Sequence, residues 1–194
     1  MKTYDVKFVP EKFREDEKVV LNFLDSKEQF LENPIKLGDM EKELSYHFQG
    51  EKMEFPKRNY YKDITDVEYS KFSDTQKAIL DCIMSLNYNG HRREKHIMRI
   101  LQSNLGFEPF FVFNQVQSYV VEILNHIYES EKDKSSRYEA FVKQNLELVK
   151  TGYRRMVSYW DANYREQDSK IEDYVGYKIF TEIFKLTRKG VYGK

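Results

Sequence analysis

The chain has 194 residues, with 32 basic and 32 acidic side chains and a formal net charge of zero. That balance excludes a globally basic nucleic-acid binder, and the single cysteine, Cys82, excludes an internal disulfide framework or a cysteine-rich zinc site. Hydrophobic residues (40%) suffice for a core, and eight Gly with four Pro favour helices over a turn-dense β-sandwich. No stretch reaches the roughly 18 to 20 uninterrupted apolar residues of a membrane span. Met1-Lys2-Thr3-Tyr4-Asp5 holds no apolar run, so no secretory signal and a cytoplasmic location are expected.

Thr3 to Val9 alternates as a short strand does, and an extended arm fits equally. From Glu15 to Leu31, Val20, Phe23, Leu24 and Leu31 mark an amphipathic helix that stops near Asn33-Pro34. A second helix is predicted from about Asp39 to Phe48, ended by Gly50. Residues 50–69, with Pro56 and the pair Tyr60-Tyr61, read as a linker. Ser73-Asp74-Thr75-Gln76 is a capping box. Ile79, Cys82, Ile83 and Leu86 follow at helical spacing, and Leu80 and Met84 widen the stripe. Cys82 therefore reads as inert core.

Asn87-Tyr88-Asn89-Gly90 reads as a tight turn, because Asn and Gly tolerate positive φ. The next helix, His91 to Asn104, buries Ile97, Ile100 and Leu101 and shows water Arg92, Lys95 and Arg99. Glu108-Pro109 opens a short apolar helix, and Tyr119 to Tyr128 forms another. Ser136-Arg137-Tyr138-Glu139 reads as a second capping box, heading a helix that continues through Tyr153, Met156, Val157, Trp160 and Tyr164. A last helix is predicted over Lys170 to Leu186, with a fraying basic tail from Thr187.

Ser73 to Leu101 and Pro109 to Tyr128 repeat one theme of helix, polar turn and helix. Such pairs bury both apolar faces only when stacked. Asn87-Tyr88-Asn89-Gly90-His91-Arg92-Arg93-Glu94-Lys95 resembles the inter-helix turn of HEAT-type repeats. It is similar to that of uncharacterised bacterial HEAT-repeat proteins with an Asn-Gly-x-x-Arg-Glu stretch. Gln117-Ser118-Tyr119-Val120 resembles the Asn-Asp-Trp-Val that opens their following helix. The resemblance, over about residues 71–128, implies that Asn87, Gly90 and Arg93 form a structural ladder between repeats. Acceptors for Arg93 would be Asn87, Asn114, Gln117 and Ser118. Arg92 departs from the family's valine and Leu124 from its second arginine, so the ladder is incomplete.

Four histidines raise the question of a metal. Glu43 and His47, and Glu122 and His126, stand four apart, and His91 and His96 flank Glu94. Neither Glu-x-x-His nor His-Glu-x-x-His occurs, so no metal and no cofactor are expected. Phosphate-loop, dinucleotide and nucleophile-elbow motifs are absent, which leans against an enzyme. Arg92, Arg93, Lys95 and Arg99 form a local basic group suited to phosphates. Arg154, Arg155, Trp160, Asp161 and Arg165 resemble, in residue type only, the site of HEAT-like alkylpurine DNA glycosylases. Fifteen Tyr and fourteen Phe exceed what a small helical core needs. Tyr60, Tyr61, Tyr88, Tyr153 and Tyr164 are candidate interface anchors, with Arg92 and Arg99 beside them.

These readings combine into an all-α fold. HEAT-like hairpins would stack as a short solenoid over 70–194, after a mostly helical extension over 1–69. The expected function is a non-catalytic protein-interaction scaffold with an unidentified protein partner, self-association included. The alternative is a nucleic-acid-binding helical repeat, extending to a glycosylase.

Overall fold

A computed structural model describes residues 6–31, 36–37, 40–117 and 120–193. The chain is mostly helical and divides into two units, Met1–Glu108 and Pro109–Lys194. No described helix is long and apolar enough to cross a membrane.

In the first unit, α1 (Arg14–Asp25) buries Val20, Leu21 and Leu24 and packs against α3 (Asp74–Met84). Its buried Glu17 accepts hydrogen bonds from the Phe8 and Val9 amides and pairs with Arg14. Burial raises that carboxyl, with Arg14 opposing. A buried carboxylate with several donors can tie an extended segment to a helix. Of the strand or arm read over Thr3 to Val9, Lys7 forms a two-way backbone bridge with Glu54, while Thr3 to Asp5 lie outside the described residues.

The all-α expectation needs one correction. The helix predicted up to Phe48 is a hairpin: β1 (Leu44–Phe48) pairs antiparallel with β2 (Glu51–Phe55). The predicted start at Asp39 and the stop at Asn33-Pro34 lie outside the described residues. Tyr46 and Phe48 point into the core from β1, and Met53 and Phe55 from β2. This is the two-residue alternation of a half-buried strand. Gln49 (φ 51°) and Gly50 (φ 83°) form the connecting turn. Positive φ at both central residues matches the twist of a hairpin. Gly50 therefore turns a hairpin and ends no helix.

The expected linker over 50–69 contains β2 and α2 (Asp66–Tyr69). Thr65 caps α2, and Glu68 bonds back to the Thr65 amide at 3.0 Å. This is a Thr-x-x-Glu capping box, a signal carried by the sequence itself. The Ser73 box forms as predicted and opens α3 (Asp74–Met84), with Cys82 buried. Next comes α4 (Gly90–Ile100), which ends earlier than Asn104.

In the second unit, Pro109 opens α5 (Pro109–Val116), buried on nearly every side. Then come α6 (Val121–Glu131), α7 (Ser136–Gln144) and α8 (Leu146–Asn163). Tyr119, the expected start of α6, lies outside the described residues. The Ser136 capping box does not form. Buried Glu131 organises that corner instead, accepting from the Tyr138 hydroxyl at 2.9 Å and pairing with Arg137 and Lys134.

The helix predicted over Lys170 to Leu186 is broken. It becomes a 3-10 turn (Ile171–Asp173), α9 (Val175–Lys178) and a π-helical turn (Ile179–Ile183). Tyr174 takes an extended backbone, with its ring stacked on Tyr164 at 5.1 Å. The tail expected to fray forms α10 (Arg188–Tyr192), capped by Thr187. Phe113 meets Phe141, Phe180 and Phe184 within 6.3 Å, so much of the aromatic surplus is core.

Gly152 in α8 faces the Phe113 ring, where a Cβ would lie 2.6 Å from the ring edge. Gly152→Ala should cost about 1 to 3 kcal/mol by overpacking, despite alanine's better helix propensity. Gly190→Ala, with its nearest side-chain atom at 3.4 Å, should be near neutral. Urea melts of both variants check this.

Candidate functional site

The turn between α3 and α4 is held from beneath by residues 59–61. The Asn59 amide donates to the Leu86 carbonyl at 3.1 Å, and the Tyr88 amide donates to Asn59 at 2.9 Å. Asn59 Nδ2 donates to the Ile83 carbonyl at 2.7 Å. Asn87 Nδ2 donates to Asn59 Oδ1 at 2.8 Å and to the Tyr61 carbonyl at 3.0 Å. Asn87 Oδ1 accepts from the Asn89 amide. Both Asn59 and Asn87 are buried, where an unmet amide is costly.

Arg93, 7% exposed, donates from Nη1 to the carbonyls of Asn87 (3.2 Å) and Tyr88 (3.1 Å). These two acceptors lie in its own turn. Of the other predicted acceptors, Gln117 accepts from Arg155, and Ser118 lies outside the described residues. Gly90 starts α4 without positive φ, and so do Asn87 and Asn89 in the turn before it. The asparagines serve through side-chain hydrogen bonds, Asn89 as the cap of α4.

The parallel bridge of Asn59 with Asn87 has a direct consequence for their neighbours. Tyr60 and Tyr88 come side by side, their rings stacked 5.6 Å apart at 28°. On the other flank, the Phe30 amide donates to the Tyr60 carbonyl at 3.0 Å. The Phe30 ring meets Tyr88 edge-on at 5.5 Å. Phe30 is 47% exposed and Tyr88 40%, with Tyr60 half-buried. The Arg92 guanidinium sits 4.6 Å from the centre of the Phe30 ring. Tyr61 points the other way and is core.

The basic group is matched by acids. Arg92 and Lys95 face Asp63 at 3.8 and 3.9 Å, Lys62 pairs with Glu28, and Arg99 faces Asp66 at 3.5 Å. Arg99 is no simple wet-face residue. Its guanidinium lies 3.9 Å from the Tyr69 ring centre and 3.8 Å from buried Asp81. Asp81 also accepts from the Tyr69 hydroxyl and meets His96 Nδ1, both at 2.7 Å. Burial and Asp81 hold the Tyr69 phenol well above its ordinary value. His96 is fully buried, so the pair meets no substrate from solvent. This network escaped the sequence reading, although an acid inside the apolar run 78–84 was its signal.

The other candidates scatter. Glu43 precedes β1 and His47 lies within it, where a spacing of four residues spans about 13 Å. No group of three metal-ligating side chains occurs among the described residues. Arg165 pairs with Asp161 at 2.7 Å, and Trp160 Nε1 donates to the Asp168 carbonyl at 2.9 Å. Tyr153 is buried, and Tyr164 stacks on Tyr174. The structure thus assembles Tyr60, Tyr88 and Arg92 and adds Phe30, whose place depends on pairing with a distant segment.

Arg93→Ala should cost about 1 to 3 kcal/mol by stranding two turn carbonyls. Arg93→Lys should recover little, since a point charge does not reproduce the planar fork. Arg99→Ala should cost about 1 kcal/mol through the lost contact with Tyr69. Denaturant melts rank the three variants. No protein-family model, no curated protein and no solved structure matches this chain.

Proposed function

We propose that the chain is a non-catalytic protein-interaction module that engages a protein partner through Phe30, Tyr60 and Tyr88, with Arg92 at the rim. One observation carries the reading: three aromatic side chains, two of them well exposed, are locked side by side by backbone pairing. Rigid aromatics that lose little entropy on binding make efficient anchors. Carboxylates stand beside the basic residues, with Arg92 and Lys95 both facing Asp63 and Arg99 facing Asp66, which reduces the charge offered to a polyanion. That weighs against the nucleic-acid alternative.

The HEAT-type relationship is part of the same proposal. It is supported by the α3–α4 hairpin, with Asn87, Gly90 and Arg93 gathered at its turn. The stacking of further hairpins into a short solenoid rests on the sequence resemblance.

The test is parallel affinity capture from the source organism's lysate with the parent and a Phe30→Ser/Tyr88→Ser variant. A protein retained by the parent should bind the purified variant at least about tenfold more weakly, at unchanged melting temperature. Equal binding by both forms would overturn the reading. So would parent capture dominated by duplex DNA in a salt-dependent manner.

A further inference from the structure

We infer that the second unit carries a small-molecule site for a zwitterionic aromatic compound of about the size of a free aromatic amino acid. The site is a pocket of about 300 Å³, lined by Tyr153, Trp160, Tyr177, Tyr192, Glu172 and Arg188 among others. The sequence builds it from helical spacing. Tyr153, Val157 and Trp160 lie at i, i+4 and i+7 on α8, and Arg188 and Tyr192 at i and i+4 on α10. The turn at Ile171–Asp173 and α9 close the remaining sides with Ile171, Glu172 and Tyr177.

Four aromatic rings line the pocket, which suits a flat apolar body or a cation. The charges decide between them. Arg188 and Glu172 are exposed at the mouth. Neither side chain has a hydrogen-bond or ion-pair partner among the described residues, including the other. A simple cation would meet Arg188, and a simple anion would meet Glu172. A molecule carrying both a carboxylate and an ammonium satisfies both.

The interior adds a polar group. Tyr153 is 1% exposed, yet its hydroxyl makes no hydrogen bond to any described residue. Burial pushes this phenol up to about 12, with further pressure from Tyr177 and Tyr192 and an opposing pull from Arg188. The hydroxyl is open to solvent rather than sealed in the core, so it is free to meet a polar group of a bound molecule. The volume stands at the low end for ligand pockets, so the ligand is compact.

Trp160 is the only tryptophan of the chain, so its selectively excited emission reports on this pocket. The probes are L-phenylalanine, N-acetyl-L-phenylalanine and L-phenylalanine amide. The first carries both charges, the second only the carboxylate, as a peptide terminus would, and the third only the ammonium. L-phenylalanine should change the emission saturably by millimolar concentration, with the other two at least about tenfold weaker. Arg188→Gln should weaken L-phenylalanine by about tenfold and leave the amide unweakened. Glu172→Gln should do the converse with the N-acetyl compound. Both residues are exposed, so melting temperatures should not move. The inference fails if L-phenylalanine gives no saturable change, if a singly charged probe binds as well, or if both variants bind like the parent.

Discussion

The hydrogen bond between the buried amides of Asn87 and Asn59 is the constraint on which the first unit's surface depends. Neither amide is exposed to solvent, so each must find its partners within the fold. Asn59 finds the last turn of α3, and Asn87 finds the 59–61 segment. The backbone pairing that results places Tyr60 beside Tyr88. Arg93 then binds the turn carbonyls from the α4 side. Side chains that satisfy buried backbone groups thus determine which aromatic rings face outward together.

Aromatic packing orders the second unit differently. Phe110, Phe113, Phe141, Phe180 and Phe184 meet mostly edge to face and fill the space among short helices. Tyr153 belongs to this cluster through Phe180, at 5.5 Å, but its hydroxyl has no hydrogen-bond partner among the described residues. The rings of Trp160, Tyr177 and Tyr192 do not close over it, and a pocket remains. One helix face can thus contribute both to a core and to a cavity.

Local signals were legible where the chain's own neighbours decide the structure. The Ser73 box, the apolar stripe with Cys82, and Pro109 at a helix start are of this kind. Non-local partners hid the rest. Leu44, Tyr46 and Phe48 become a strand because Met53 and Phe55 lie opposite across a two-residue turn. The run from Lys170 to Leu186 breaks at Tyr174, whose ring stacks on Tyr164. Of the site, Tyr60, Tyr88 and Arg92 could be named from residue type alone. Phe30 joins them only through backbone pairing with Tyr60, thirty positions on, which periodicity does not reveal.

The asparagine pair can be tested directly by a double-mutant cycle in urea, with Asn59→Ala, Asn87→Ala and the double variant. If the two amides act as one unit, the double variant is less destabilised than the sum of the singles, by about 1 kcal/mol or more. Additive losses, within about 0.3 kcal/mol, would contradict the account.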